Sequence, residues 1–433
     1  MDIQSLREAC AHPDLFFARS EEDLIKLVYE EFPEDIDRLK RAYSIRDGPW
    51  TPPSALSPSY ILYKENYDEV NRTLVGFLAL RWIHTNQYET FIGTQSPPQL
   101  TRASFDWIRQ YYAQVSPDAN TLYVLIYSMI INDLGKDPQL AIDYQTQTGE
   151  DISTLNHDAI LLQACKHGLV PSLEALPNQD REDVFKAINL GATFNFGQLA
   201  QAENAPACLA ALLEMKNSKR SFQIRFMEQI LDIAGAAGHM DWTCAKKFTQ
   251  PIFEGYRHVH EVYEGIISDT LTLRHGYDLI LTRRAECLLG QGVRGLDVKC
   301  DPRDRALVRL FCMGNVTTKD KALLYEAAWD ALDEGTRGKL EKALNFDGAK
   351  GEPAVQPTYM PALLGRVHGM DALVCAFRFL CQVMSATDIE NPEVVVIERS
   401  VYKVLKEVVE SEEFQSDPTI LEGVDVPEGV AVI

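Results

Sequence analysis

Basic residues are the scarce side of this chain: Lys and Arg number 42 against 63 Asp and Glu, a formal net charge of −21. Nucleic-acid backbones are held by clustered Lys and Arg, so the balance argues against a nucleic-acid partner. It leaves room for a small anion taken through a bound cation. Histidine is also thin, with nine residues and neither HxxxH nor HExxH, so a histidine-rich zinc site is not expected. The nine cysteines (Cys10, Cys165, Cys208, Cys244, Cys287, Cys300, Cys312, Cys375 and Cys381) are odd in number, scattered and without a CxxC. Most sit in apolar helical contexts, where a thiol behaves as a small hydrophobe, and a reducing compartment is the expectation. No run of 18 apolar residues occurs, and the start, MDIQSLREAC, lacks the shape of a secretion signal. Together these predict a soluble, cytoplasmic protein with no membrane insertion. No GxGxxG opening a βαβ unit, no Walker loop and no GxSxG elbow is present, which removes support from nucleotide-binding and serine-hydrolase readings.

What the chain does have is helical periodicity over 433 residues, 46% of them hydrophobic. Helices are expected over 20–32, 69–91, 101–115, 120–133, 157–167, 181–190, 195–215, 220–237, 241–250, 254–290, 303–313, 319–333 and 359–386. Only EVVVIERSV (393–401) is ambiguous between helix and strand. The fold class predicted is all-α: a single large multi-helix domain with a metal site in an apolar cavity. Within it, 1–60 reads as an N-terminal helical segment with a Pro-rich loop (46–60), 61–345 as the helical catalytic core, 346–411 as a C-terminal helical segment and 412–433 as an acidic tail, frayed or lying on the surface. Residues 345–361 read as a second loop.

Four stretches carry candidate chemistry. IINDLGKDP (130–138) ends an apolar helix on Asn132, Asp133 and Asp137, although the macrodipole disfavours an anion there. A hard divalent cation would reverse that sign, because Mg²⁺ prefers carboxylate and amide oxygens; equally, Asn132 and Asp133 could form a C-cap and turn, with Lys136 neutralising one acid. Asn156, His157 and Asp158 stand at the start of another apolar helix, as caps or as ligands. Glu228 and Asp232 lie one turn apart in a very apolar helix. An unpaired buried charge costs several kcal/mol, so a metal, Arg225 or a neighbouring helix must answer them. Small residues from Ala234 to Gly238 would admit a close backbone or ligand. Finally, NLGATFNFGQLAQAEN (189–204) is dense in polar residues, Asn195 and Gln198 among them, as caps or as a lining.

Two resemblances follow from these stretches. NDLGK (132–136) resembles the helix-ending His-Asp-(Leu/Ile)-Gly-Lys of HD-domain metal enzymes, with His84 upstream and His157 and Asp241 downstream in ligand order. Asn132 stands where that family has histidine, which favours a harder ion. Over roughly 120–290, NDLGKDP, GATFNFGQLAQAEN and DIAGAAGHMDW resemble the noncanonical fungal humulene-forming terpene cyclases of tropolone sesquiterpenoid pathways in secondary metabolism. That resemblance implies an all-α cyclase holding farnesyl diphosphate with two Mg²⁺ and an essential lysine, with a residue one turn before it guarding product geometry. Met215 and Lys219 in MKNSKR are the local match; the DDxxD and NSE motifs of ordinary class I cyclases are absent. The site expected is therefore Asp133 and Lys219 as catalytic residues. Asn132, Asp133, Asp137, Asp158, Glu228 and Asp232 would serve as metal ligands. Lys136, His157, Lys219, Asn195, Gln198, Met215 and Phe222 would bind substrate, and Tyr123, Tyr127, Phe194, Phe196, Phe226, Trp242 and Tyr256 are further candidate walls whose π faces favour a carbocation. The alternatives are an HD-like phosphohydrolase or oxygenase, and a helical scaffold whose acids are caps and ion pairs.

Overall fold

The computed structural model describes residues 5–44, 51–116, 118–386 and 391–432; the start of the Pro-rich loop, 46–50, lies outside them. Helices dominate the described residues, with one small sheet. Side-chain caps set many of the starts: Ser20, Thr101, Asp118 and Asn156 each accept a hydrogen bond from the backbone N–H three residues on. No helix among the described residues is long and apolar enough to cross a membrane.

Several expected helices are shorter than their apolar periodicity. The 69–91 stretch is Asp68–His84 followed by Tyr88–Ile92, split where Asn86 turns left-handed at φ 59°. The 254–290 stretch breaks after Ile267 at Asp269, φ 58°, and Thr272 caps a new helix, Leu273–Gly290. Gly369, φ 86°, divides Met360–Arg366 from Met370–Ser385. Residues 195–215 form only short pieces, interrupted at Ala202, φ 54°, and at Pro206. Over 241–250 no helix forms until Gln250, because the Asp241 carboxylate accepts from Thr243 N at 3.1 Å and closes a local turn instead. Two polar helices, Pro138–Thr148 and Glu334–Leu344, lack an apolar stripe strong enough to be expected; Asp137 and Asp333 cap them.

The ambiguous 393–401 run contains a strand, β2 (Val396–Ser400). It pairs in parallel with β1 (Ala354–Thr358) and antiparallel with β3 (Gly429–Ala431), with Val355 opposite Ile397 and Glu398 opposite Val430. β1 falls inside an expected loop; all five of its residues are buried, so it shows no alternation, and Pro357 is tolerated because β1 is an edge. The acidic tail is not frayed: Glu412–Ser416 and Pro418–Gly423 are helical, and Phe414 and Leu421 are buried.

By its contacts the chain forms two compact units. The first is Met1–Thr193 with Asn217–Glu254, and the second is Phe194–Lys216 with Gly255–Ile433. In the first, the Asp68–His84 and Lys219–Gly235 helices cross at glycine. A Cβ on Gly76 would lie 2.8 Å from the Leu231 carbonyl, and one on Gly235 would run into the Arg72 carbonyl. In the second, the fully buried Arg309 donates to the carbonyls of Ala202, Glu203, Asn204 and Leu344, pinning the left-handed turn at Ala202.

Candidate functional site

The apolar Ala119–Ile131 helix delivers Asn132 and Asp133 at its C-terminal end, and the Leu134–Lys136 3₁₀ turn brings Lys136 back over them. Lys136 Nζ lies 2.8 Å from Asp133 Oδ1 and donates to Glu69 Oε1 at 2.6 Å. A lysine three residues on thus answers the anion that a helix C-terminus disfavours. Gly135 has to be glycine for a steric reason: a Cβ there would meet the His157 carbonyl oxygen. That contact seats the start of the His157–Lys166 helix on the turn, with His157 Nε2 3.8 Å from Asp133 Oδ1 and 3.7 Å from Asp158 Oδ2.

Arg225, on the Lys219–Gly235 helix, ties the remaining pieces. Its Nη1 donates to Asn132 Oδ1 at 2.7 Å and to Glu228 Oε2 at 2.6 Å, and its Nη2 to Asp158 Oδ1 at 3.4 Å. The guanidinium fits because Gly191, on the Asn178–Thr193 helix, offers no side chain to meet it. On the far side of Lys136, Arg72 Nη1 lies 3.3 Å from Glu69 Oε2, which also accepts from the Ser44 hydroxyl. Asp232, one turn beyond Glu228, takes no hydrogen bond or ion pair among the described residues, although its carboxyl feels Asp133, Lys136, Arg72 and Arg225.

Burial sets the electrostatics. It pushes Glu69 up to about 7, helped by the Asp133 charge and opposed by Lys136, and Glu228 up to about 8 against the pull of Arg225. Asp232 is raised by burial and by Asp133. Burial also acts on Asp133, but Lys136 and a hydrogen bond from the Glu69 carboxyl outweigh it and hold Asp133 well below the usual carboxylate range. Of the pair, Glu69 is thus the carboxyl pushed toward its protonated form and Asp133 the one held charged. Five carboxyl groups (Glu69, Asp133, Asp158, Glu228, Asp232) face three fixed cations (Lys136, Arg72, Arg225) among the described residues. Two negative charges are left to be cancelled by protons or by one divalent ion.

Seven of the expected site residues thus meet: Asn132, Asp133, Lys136, His157, Asp158, Glu228 and Asp232. Among the described residues no three or more His, Cys, Asp or Glu side chains are arranged as a metal would hold them. Asp137 is spent elsewhere: it caps the Pro138–Thr148 helix and is gripped by Arg41 at 2.6 Å and Arg38 at 3.3 Å. Lys219, the first residue of its helix, is exposed, and Phe222 is buried with its ring stacked on Phe226 at 5.7 Å. Asn195, Gln198 and Met215 fall in the second unit, with Phe194, Phe196 and Tyr256. There Asn195 caps the Phe196–Ala200 helix, Gln198 Oε1 accepts from Gln356 Nε2 at 2.9 Å, and Met215 is buried. Of the further HD-type candidates, His84 contacts Tyr112 and Asp14 through its two ring nitrogens, and Asp241 accepts from Thr94 and Thr243. Glu69, Arg72 and Ser44 were not expected. An acid in the first turn of a helix reads as a dipole partner; the clue was that Glu69 and Arg72, three apart, lead into the wholly apolar run 74–80 of the same helix.

A family model matches residues 25–421, and the chain belongs to that family, DUF6829, a family of unknown function. No curated protein and no solved structure matches it.

Proposed function

We propose, for a chain whose family has no known function, that the buried cluster is the working site of an enzyme acting on an organic diphosphate with Mg²⁺. The reaction we assign is ionisation and cyclisation of farnesyl diphosphate to a sesquiterpene hydrocarbon such as humulene. The observation carrying this is the charge balance: acids from four separate helices converge in the interior, two in excess of their cations, and Asp232 has no hydrogen-bond or ion-pair partner among the described residues. The donors are all hard oxygens, the set that suits Mg²⁺. Asp232, Glu228, Asp133 and Asp158, with the Asn132 amide, are the residues that would hold such ions. When bound, the ions supply the positive charge that takes up a departing diphosphate. Lys136, Arg225 and the half-buried His157 stand beside that position as donors to phosphate oxygens.

A second reading is favoured by Lys136 and Arg225 already answering Asp133, Asp158 and Glu228. In it the cluster is an ion-pair network that fixes helix packing and the protein is a scaffold. One experiment separates the two. The protein is incubated with Mg²⁺ and farnesyl diphosphate, the hexane extract is analysed for hydrocarbon, and the aqueous phase for diphosphate and phosphate. Hydrocarbon with diphosphate, abolished in Asp133→Asn at unchanged helix content, is the expected result. Phosphate without hydrocarbon assigns a phosphohydrolase. No turnover, and no thermal shift with Mg²⁺ plus diphosphate, leaves the scaffold.

A further inference from the structure

A cavity of about 500 Å³ opens in the first unit, beside the Leu6–Cys10 and Arg102–Val115 helices and the C-terminal end of the Asp68–His84 helix. It is separate from the charged cluster in its residues. Ile83 and Leu122 give it apolar walls, and His84, Arg109, Tyr112 and Ser116 give it polar ones. The polar groups are not equivalent. His84 Nε2 lies 2.9 Å from the Asp14 carboxylate, which can only accept, so Nε2 carries a proton. In the neutral ring Nδ1 is then an acceptor, and the Tyr112 hydroxyl 3.0 Å away donates to it.

Arg109 is the reverse case. Its Nε donates to the Ile83 carbonyl at 3.1 Å, which fixes the plane of the guanidinium against the wall. Its Nη1 lies 3.9 Å from Asp106, too far for a hydrogen bond. The terminal N–H groups are therefore unspent among the described residues. Among the described residues the Ser116 Oγ is shielded from water and makes no hydrogen bond of ordinary geometry, its nearest polar influence being on the Tyr112 hydroxyl. Asp118, also in the lining, turns its oxygens to the Thr121 N–H and hydroxyl. Burial pushes the Cys10 thiol up to about 12 and keeps it neutral.

We propose that this cavity binds a small monocarboxylate with a hydrocarbon body. The carboxylate sits on the Arg109 Nη groups, and the hydrocarbon lies along Pro13, Ala113 and Ala119, the apolar lining that solvent reaches. A planar guanidinium with two parallel free donors is the recognition element for a carboxylate, and an apolar pocket with a few fixed polar groups is the usual form of a small-molecule site. The test is calorimetric titration of the full chain with octanoate and, separately, with octanamide, which keeps the shape and loses the charge. Saturable one-to-one binding of octanoate is expected, weaker by about tenfold or more for octanamide and for octanoate on Arg109→Gln. No saturable binding of octanoate overturns the proposal, and so does equal affinity for octanamide. The amide arm uses the native chain, so it decides even if Arg109→Gln does not fold.

Discussion

Removing Arg225 strands two acids and an amide that no other described cation reaches so closely. Arg225→Met leaves Glu228 and Asp158 buried without their partner, a loss of about 3–5 kcal/mol. Adding Glu228→Gln replaces the stranded carboxyl, which has a proton to lose as pH rises, by a neutral amide, so at about pH 8 and above the double variant is expected to be more stable than the single one, by urea denaturation at constant m-value. If the second substitution only adds to the loss, the pair is not the unit described here. Gly135 is a purely steric case. Gly135→Ala places a methyl in the His157 carbonyl, so an expected cost of about 1–3 kcal/mol, read from the same denaturation curves, comes with displacement of the His157–Lys166 helix start. A neutral Gly135→Ala would mean that the turn and the helix are not in contact.

At the scale of elements, the glycine crossing controls how the cluster closes, because Glu69 and Arg72 ride on one helix and Arg225, Glu228 and Asp232 on the other. Gly235→Val pushes against the Arg72 carbonyl and is expected to cost about 3 kcal/mol, measured by urea denaturation. The run of small residues from Ala234 to Gly238 announced this approach in the sequence. So did the cap serines and aspartates, which mark helix starts whatever the tertiary packing. Breaks at Asn86, Ala202 and Asp269 were not legible, since each is a left-handed residue other than glycine, paid for by packing that one sequence does not display. β1 was hidden because a strand buried on both faces has no period. The site was half legible: Asn132, Asp133, His157, Asp158, Glu228 and Asp232 are local anomalies in apolar helices. Glu69 is not, because its partner Lys136 is 67 residues away. The tail makes a further test. Ending the chain after Ser411 exposes what Phe414 and Leu421 cover, with an expected loss of about 3–6 kcal/mol at roughly 1.5–3 kcal/mol for each buried side chain. A truncated chain with unchanged thermal stability would show that the tail contributes nothing.

At the scale of the whole molecule, both units hold acids that burial keeps protonated, and their sum shapes the pH response. In the first unit these include Asp35, pushed to about 6, Glu69, to about 7, Glu228, to about 8, and Asp232; in the second they include Glu398 and Glu203, the latter raised to about 8 by burial although the Met360 N–H donates to it. Unfolded, the glutamates titrate near their ordinary value of 4.5 and the aspartates near 3.8. Between the unfolded value and the folded one the native state holds more protons than the unfolded state, so stability falls as pH rises. The contribution of the glutamates is complete below about pH 4.5 and is lost through about pH 8. Asp133, held low by Lys136, acts in the opposite sense: its contribution is present above its ordinary value of 3.8 and lost as pH drops below it. Urea midpoints measured with EDTA should therefore peak between about pH 4 and 5 and decline steadily to about pH 8.5. Glu203→Gln and Glu228→Gln should each flatten the decline, because an amide has no proton to lose. A flat native profile over that range would mean that these carboxyls are ionised and answered by something else. Mg²⁺ then tests the cluster from outside: an ion that replaces protons stabilises more at pH 8 than at pH 6, and only in the chain that keeps Glu228. Equal shifts at both pH values, or the same shift in Glu228→Gln, would place any bound ion somewhere other than these five acids.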